Sequence, residues 1–571
     1  MKAPLKPSQL VLICLALAVI LAGVLRIHST LSVLSATPDE PHHLAGGMEW
    51  LVRGTYSFDI KHPPLGRVAA ALPLWLSGSR NLVIAVDTGY GDDPGKTLLS
   101  SRGRYAEDLA IARSGVAVFF VLMCVAVFGW AWELFGPWTG LLCLVELSLL
   151  PAVLAHSGFV TTDMAGASTL VLCLWMLWRW TQRRTPARAI AAGVCLALAL
   201  LGKTSSVPFL AACALVWFVL QVWTRRGWPS QALRFRTAHL LLAVLAAFVV
   251  IWAAYRFHSE PLTKTIPIAR YQARLNRHSL SGRAISWALD VPIPGGNLVR
   301  AVGSLLAHED LRPSDQYFLG EKKQGGWLLY FPVAFLVKAP LPFLILAAIA
   351  LLLAIQAALR RGEIDAVYPA AFAVALFLVC LPTQWNVGSR YILSVYPLLC
   401  VASGLAIRGL WNSPRFATAS RALVAALFLW LTVESVQAHP DYLAYFNQLA
   451  RSHPERILAD SDLDWGQDLY RLRREVQSVH AGTVWVDYFG VTPPGFYGFP
   501  SRPLPEDRPV SGWVAVSLEY LLLYPETHAW LAPYSWRPVG KSIRLYYVPE
   551  PPPAPASLPS REQALSLLQL R

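Results

Sequence analysis

Two stretches of the chain combine acids and histidines in a way that could support proton transfer. The first, ATPDEPHHLA, holds Asp39 and Glu40 shortly after the first long apolar run. The second, HSGFVTTDM, holds His156 and Asp163 just before another apolar run. A carboxylate at the mouth of a helix bundle can take a proton from a hydroxyl group as a general base. We predict that Asp39 is this base. Glu40 and Asp163 would orient the molecule that carries the hydroxyl group, the acceptor, or raise the basicity of Asp39.

Cationic side chains near such acids are candidates for holding a phosphate, because fixed positive charge stabilises a phosphate leaving group. The first candidate is Arg390 in NVGSRY, where an apolar run begins. The other substrate-binding candidates are His62 and Arg67 in KHPPLGR, Lys203 in LGKTSS, Lys338 in FLVKAPLP, and His156. Structural alternatives stand beside these roles. Asp163 could cap the helix that follows it, and the lysines could extend their amines toward the membrane surface.

A metal site is only weakly indicated. The eight cysteines all lie in apolar segments and form no C-x-x-C pair, so buried thiols without disulfides are expected. If a divalent metal takes part, His42, His43 or His62 would be its ligands. The segment DSDLDWG has calcium-loop spacing at its start, but its glycine is one position late, which excludes an EF-hand. We predict instead that Asp464 caps a helix whose apolar face is Leu469, Leu472 and Val476. A sugar or metal contact by these acids is the alternative.

The composition places these residues in a membrane protein. Of the 571 residues, 55% are hydrophobic and only 15% are charged. Repeated apolar runs of membrane-spanning length predict an α-helical polytopic membrane protein. The net charge of +14 does not indicate nucleic-acid binding, because the arginines cluster in short links between apolar runs. The first apolar run is long for a signal peptide, so we predict an uncleaved first helix.

Eleven transmembrane helices are predicted, of which the shortest, 189–202, is the weakest. The predicted spans are 9–27, 112–131, 139–155, 164–182, 189–202, 206–223, 237–255, 335–357, 367–383, 391–409 and 421–436. With the N-terminus inside, the basic clusters fall on the inside, as the positive-inside rule requires. These clusters contain Arg183, Arg184, Arg188, Arg225, Arg226, Arg234, Arg236, Arg360, Arg361, Arg408, Arg415 and Arg421, together with Lys2 and Lys6 at the N-terminus.

The predicted topology puts three long segments on the outer face: 28–111, 256–334 and 437–571. Residues 1–436 would form the transmembrane domain with the first two as its outer loops. Residues 437–571 would form a small extracytoplasmic α/β or α+β domain, because VWVDYF, WVAVSL and RLYYV alternate like strands. A disordered tail, PEPPPAPA, would follow. Asp39 and Asp163 would then meet at the same membrane face.

The residues Asp39-Glu40 and HPPLGR at 62–67 resemble the first outer loop of the protein O-mannosyltransferases and their bacterial relatives. In that family an Asp-Glu pair is followed by His-Pro-Pro-Leu-Gly-Lys, and here Arg67 replaces the final lysine. The wider GT-C group of membrane glycosyltransferases also includes the aminoarabinose transferase of lipid A. The resemblance is strongest over the first 250 residues. It weakens at 256–334, which is too short for the sugar-binding-like repeats of the eukaryotic enzymes.

The resemblance and the residues together predict an inverting glycosyltransferase of the bacterial inner membrane, with its active site on the periplasmic face. It would move one sugar from a polyprenyl-phosphate carrier to a protein, lipid or glycan acceptor. The WWD signature of oligosaccharyltransferases is absent from the sequence, which disfavours transfer of a whole glycan. The alternative is a secondary transporter or flippase. Against it, the polar candidates collect at one predicted face rather than at mid-membrane.

Overall fold

The computed structural model describes residues 7–81, 94–225, 236–264, 279–306, 315–360, 363–414, 416–550 and 558–570. The predicted basic residues Lys2, Lys6, Arg226, Arg234, Arg361 and Arg415, and most of the Pro-rich tail, lie outside these ranges. The described chain is mostly helical. Its long apolar helices are Pro7–His28, Ala117–Phe135, Pro137–Ser148, Asp163–Gln182, Pro186–Gly202, Ser206–Arg225, Thr237–Ala254, Leu341–Leu359, Ile364–Cys380, Val395–Trp411 and Ala417–Gln437.

Six stretches of the described chain are long and apolar enough to cross a membrane. They are Pro7–His28, Tyr105–Phe135, Ser206–Thr224, Thr237–Ala254, Leu341–Leu359 and Ala417–Gln437. Pro186–Gly202, Ile364–Cys380 and Val395–Trp411 are shorter apolar helices, of 10 to 17 residues. A polytopic helical membrane protein is therefore supported, while the count of eleven spans stays a prediction.

Prolines set two of the boundaries that differ from the predicted spans. The predicted span 139–155 consists of two helices, Pro137–Ser148 and Pro151–His156. Pro151 has no N–H to donate to the preceding turn, so the first helix ends before it. Pro340 likewise separates the short helix Tyr330–Lys338 from Leu341–Leu359, which begins six residues later than predicted.

The described residues of the segment 28–111 form four helices, Asp39–Val52, Pro64–Leu76, Pro94–Ser100 and Tyr105–Ser114, the last extending just past the end of the segment. The first two pack closely against each other. A Cβ atom at Gly47 would lie 2.1 Å from the carbonyl oxygen of Arg67, so only glycine allows this approach. This packing holds the first turn of Asp39–Val52 in place, and that turn carries the acidic pair.

The segment 256–334 adds short elements. Its helices are Leu280–Asp290, Gly296–Leu306 and Tyr330–Lys338, and the last runs beyond the segment. Its strands are Ser259–Glu260, Ile293–Pro294, Asp315–Phe318 and Glu321–Gln324, and they form two antiparallel pairs.

The C-terminal segment holds a five-stranded mixed sheet. In spatial order the strands are Ser501–Pro503, Val484–Asp487, Gly512–Ser517, Ile543–Val548 and Trp536–Val539. The first three strands run parallel to one another. Ile543–Val548 pairs antiparallel with the strands on both of its sides. The strands expected at VWVDYF, WVAVSL and RLYYV are thus confirmed. The helices of this segment are Leu469–Ser478, Leu518–Leu523, Pro525–His528 and Arg561–Leu567.

The C-terminal segment contributes to two apolar clusters. Trp465, Leu469 and Val484 are buried in the same continuous apolar cluster as side chains of the long helices. A second, smaller cluster lies on the other side of the sheet, around Val514 and Tyr546. Residues from both ends of the chain therefore pack together at one end of the bundle, where the candidate site lies.

Candidate active site

An ion pair between Asp39 and Arg390 lies at the centre of the candidate site. Asp39 is the first residue of the helix Asp39–Val52, and Arg390 lies in the 3-10 turn Ser389–Ile392. Arg390 Nη1 donates to Asp39 Oδ2 over 2.5 Å. The Asp39 side chain is 36% exposed and that of Arg390 is 14% exposed. The predicted base is thus open to solvent and in contact with the predicted phosphate ligand.

A second ion pair, between Asp163 and Lys203, lies beside the first. Asp163 begins the helix Asp163–Gln182, and Lys203 follows the helix Pro186–Gly202. Their side chains are joined by a hydrogen bond of 2.6 Å. The Lys203 amine lies 4.9 Å and the Arg390 guanidinium 5.9 Å from the centre of the Tyr391 ring. One aromatic ring therefore contacts both cations, so the structure brings the two ion pairs close together.

Trp465 forms another wall of the site. Its ring lies 4.6 Å from the guanidinium carbon of Arg390, a distance typical of a cation–π contact. The same indole makes edge contacts with His156 at 6.3 Å and with Phe159 at 5.7 Å between ring centres. The Nδ1 atom of His156 is buried without a hydrogen-bond partner among the described residues. His156 is therefore placed in the site, with one ring nitrogen uncommitted.

His62 also lies near the two ion pairs. Its ring packs edge-on against His43, with 4.9 Å between ring centres. Its Nδ1 atom is buried, again without a hydrogen-bond partner among the residues that the structure describes. Burial lowers the pKa of His62 to about 4, and the charges of Arg67 and Lys203 act in the same direction. The imidazole is therefore neutral at pH 7 and can donate or accept a hydrogen bond.

Glu40 occupies a different environment from its neighbour Asp39. Its side chain is fully buried and forms a two-point ion pair with Arg113, at 2.8 Å and 2.7 Å. The same carboxylate accepts hydrogen bonds from the backbone N–H groups of Thr37 and Val160. Arg113 in turn donates to the carbonyl oxygens of residues 31, 34 and 35. The expected contact of Glu40 with an acceptor is therefore replaced by a contact that ties the loop to the bundle.

Arg67 is likewise engaged by protein groups. Its guanidinium is fully buried and paired with the carboxylate of Asp59. It also donates to His43 Nδ1 over 3.0 Å and to the carbonyl oxygen of Asp59 over 2.8 Å. Burial would raise the pKa of Asp59, but the guanidinium of Arg67 holds it well below its usual range. These contacts fix the loop 53–62, so the phosphate-binding role suggested for Arg67 does not agree with its surroundings.

Lys338 is the third candidate with unexpected partners. Its amine is buried and donates to the carbonyl oxygens of Leu443 and Asp462, both over 2.6 Å. It lies 4.4 Å from the centre of the Phe446 ring. Lys338 thus attaches the C-terminal segment to the end of the helix Tyr330–Lys338. It is neither a phosphate ligand in this arrangement nor a lysine extended toward a membrane surface.

The segment DSDLDWG precedes a helix, and its acids form hydrogen bonds that the sequence did not indicate. The predicted helix is confirmed at Leu469–Ser478, with Leu469, Leu472 and Val476 buried. The predicted cap is wrong, because Asp468 precedes the helix. Asp464 instead accepts from the backbone N–H groups of Gly466 and Glu519.

The sequence prediction missed three residues that contact the candidate site or its loops: Arg113, Asp462 and Trp465. A signal existed for Arg113, an arginine at the wrong end of a predicted span for the positive-inside rule. For Asp462 and Trp465 the only signal was an acid-rich motif next to an aromatic residue.

A metal site is not evident in the described part of the chain. No group of three or more His, Cys, Asp or Glu side chains is close enough there to hold an ion. Of the histidines proposed as ligands, His43 accepts a hydrogen bond from Arg67 and His42 lies 3.3 Å from Asp59. The described residues therefore do not fit the metal alternative, and the chemistry below relies on the side chains alone.

Comparison with known proteins gives one family match. Residues 107–253 match the family of dolichyl-phosphate-mannose-protein mannosyltransferases. A search of curated proteins found no match. Among solved structures, the chain is similar to ArnT from Cupriavidus metallidurans bound to undecaprenyl phosphate. The identity is 15%, the TM-score is 0.46, and 93% of this chain and 97% of that chain are covered.

A second solved structure is the Archaeoglobus fulgidus oligosaccharyltransferase in its apo form. The identity is 14%, the TM-score is 0.43, and 74% of this chain and 56% of that chain are covered. The family match lies on the helices that carry Asp163 and Lys203. The family match supports the resemblance to the protein O-mannosyltransferases over residues 107–253.

Proposed function

We propose that this protein transfers a single sugar from a polyprenyl-phosphate carrier to an acceptor hydroxyl, with inversion at the anomeric carbon. The observation that carries the proposal is the pair of adjacent ion pairs, Asp39–Arg390 and Asp163–Lys203, whose cations share the Tyr391 ring. Two carboxylates and two cations are what the reaction needs. One acid accepts a proton, and the cations neutralise the phosphate that leaves.

The reaction would proceed in one displacement. The acceptor oxygen attacks the anomeric carbon, while Asp39 removes the hydroxyl proton. The bond between the anomeric carbon and the phosphate oxygen breaks, and its electron pair stays on the phosphate. Arg390 and Lys203 stabilise that charge. The proton on Asp39 is then released to solvent, so atoms and charges balance.

The remaining site residues have supporting roles. Asp163 holds Lys203 toward the phosphate, and His62 and His156 supply neutral hydrogen-bonding groups. Glu40, Arg67 and Lys338 belong to the scaffold, because their polar atoms are already paired with protein groups. The carrier's tail would lie among the helices in the bilayer. The acceptor is a protein, lipid or glycan on the periplasmic face of the bacterial inner membrane.

The decisive experiment compares Asp39→Asn with wild type. Transfer would be measured with purified protein and a polyprenyl-phosphate sugar, and binding of undecaprenyl phosphate would be measured in parallel. Loss of a general base costs roughly 10²–10⁴-fold in rate. We expect a loss in this range with carrier binding retained, because the substitution removes the base and leaves Arg390 in place.

The control is Glu363→Gln, which alters an exposed acid paired with Arg408 outside the site. It should behave like wild type. An Asp39→Asn enzyme that transfers sugar at the wild-type rate would overturn the assignment of the base.

A further inference from the structure

The segment 460–465, DSDLDW, lies against the loop that carries Arg390, and three successive contacts join them. Ser461 Oγ donates to the carbonyl oxygen of Val387 over 2.6 Å. The carboxylate of Asp462 accepts from the N–H of Ser389 over 3.0 Å and from its Oγ over 2.6 Å. The third contact is that of Trp465 with the guanidinium of Arg390. Three residues of the segment 460–465 therefore contact three residues of the loop that carries Arg390.

The loop is shaped to accept this segment. Gly388 has φ +111°, a conformation that favours glycine, and a Cβ atom there would lie 2.0 Å from Ser461 Oγ. On the opposite side, Lys338 donates to the carbonyl oxygen of Asp462. Asp462 itself is 1% exposed, and it also accepts from Tyr330 Oη over 3.3 Å. The segment is thus held between the helix Tyr330–Lys338 and the Arg390 loop.

We propose that Asp462 is a positioning residue that holds Arg390 in the geometry that binds the carrier phosphate. Asp462 does not reach the substrate. It fixes Ser389, the residue before Arg390, by two hydrogen bonds, while Trp465 supports the guanidinium from below. An arginine binds a phosphate most strongly when its fork is already oriented, because little side-chain freedom is then lost on binding. This inference rests on the proposed phosphate-binding role of Arg390.

The test is a double-mutant cycle on the full-length protein. Affinity for undecaprenyl phosphate would be measured for wild type, Arg390→Ala, Asp462→Asn and the double variant, with unphosphorylated undecaprenol as the control lipid. We expect Arg390→Ala and Asp462→Asn each to weaken phosphate-dependent binding by about tenfold or more. The double variant should bind no more weakly than Arg390→Ala, because Asp462 acts only through Arg390.

Two further variants separate positioning from folding. Ser389→Ala removes one of the two hydrogen bonds and should give a smaller loss of affinity than Asp462→Asn. Asp464→Asn changes the neighbouring buried acid, whose partners are Gly466 and Glu519 rather than the Arg390 loop. It should keep wild-type affinity even where it lowers the melting temperature.

The outcomes distinguish the two proposals. If Arg390→Ala weakens binding but Asp462→Asn binds like wild type, the positioning role is overturned and the phosphate role of Arg390 stands. A double variant that binds more weakly than Arg390→Ala also overturns the positioning role. If Arg390→Ala itself binds the phosphate normally, the proposed function loses its phosphate ligand and the inference falls with it.

Discussion

Asp39 and Arg390 form an ion pair of 2.5 Å although 351 positions separate them in the sequence. In this arrangement the candidate base is neutralised by the candidate phosphate ligand. While this ion pair holds, Arg390 occupies one of the two carboxylate oxygens of Asp39. A phosphate that binds the oriented Arg390 in place of Asp39 would free the carboxylate at the moment when the sugar donor is in place. In the proposed mechanism the ion pair would therefore link binding of the sugar donor to release of the general base, Asp39.

The turnover of Arg390 variants tests this link. Arg390→Ala should lower the transfer rate by about a hundredfold or more, because removing one such electrostatic donor costs on the order of 3 kcal/mol. Arg390→Lys should restore only part of the rate, since an ammonium group cannot form the two-point contact of a guanidinium. Steady-state kinetics with a polyprenyl-phosphate sugar would measure both. Unchanged turnover of Arg390→Ala would move the role to Lys203.

The Glu40–Arg113 pair should matter for stability rather than for catalysis. Glu40→Gln leaves a buried guanidinium without its counter-charge, a change that typically costs about 3–5 kcal/mol. We expect a lower melting temperature in detergent, with near-normal activity in the fraction that stays folded. The matched control is Glu107→Gln, which breaks the exposed pair with Arg104 and should cost less than about 1 kcal/mol. A stable but inactive Glu40→Gln protein would return Glu40 to the catalytic residues.

The proposed topology can be tested with single cysteines. Of the cysteines in the described ranges, only Cys14 is exposed, so a Cys14→Ser protein is the suitable background. One exposed position can be chosen in each of the three long segments: Arg80, Asp290 and Asp507. A membrane-impermeant thiol reagent should label cysteine at all three from the periplasmic side. Cysteine at Arg184 should be labelled only after the membrane is opened. Labelling of any of the first three from the cytoplasm would contradict a shared site.

Asp464 should make stability depend on pH. Burial raises its pKa to about 7, so the folded protein holds a proton that the unfolded chain releases near pH 4. The stability contributed by this proton is complete below pH 4 and is lost as the pH rises through 7. The asparagine of Asp464→Asn has no proton to lose in this range. The melting temperature of this variant, relative to that of wild type, should therefore rise by roughly a few degrees between pH 5 and 8.

The exposed acid Asp507 supplies the control for this pH dependence. Asp507→Asn should leave the melting profile parallel to that of wild type across the same range. Melting curves of the purified proteins, recorded in one detergent at several pH values, would measure both effects. A constant difference between Asp464→Asn and wild type would contradict the predicted titration.

The sequence was sufficient to predict where the acids next to apolar runs lie relative to the membrane, because the order of the spans can be read along the chain. For this reason the sequence predicts that Asp39 and Asp163 meet at one membrane face. The sequence could not separate Asp39 from Glu40. Successive residues of a helix point about 100° apart, so one reaches the site and the other the core. Which is which depends on Arg113, a partner 73 positions away.

The positive charges show the same limit. Arg67, Lys338 and Arg390 are alike in sequence, each within two residues of a proline or glycine at the edge of an apolar run. Their roles differ because of the partners that tertiary structure supplies. Asp59 occupies Arg67, backbone carbonyl groups occupy Lys338, and a solvent-accessible acid faces Arg390. The partners of Lys338 and Arg390 lie 105 to 351 positions away, where no local pattern can indicate them. Asp59 is only eight positions from Arg67, but the folding of the intervening loop decides that they pair.

The contact between the DSDLDW segment and the Arg390 loop has a consequence for how the protein is made. Domains generally fold in the order in which the ribosome releases them. Here the last quarter of the chain supplies Asp462 and Trp465 to a site whose other members were synthesised long before. A nascent chain that has emerged only as far as residue 437 already contains Asp39, Asp163, Lys203 and Arg390, yet it lacks the contacts of Asp462 and Trp465 with the arginine loop. The protein would therefore be inactive throughout translation and become competent only near its end.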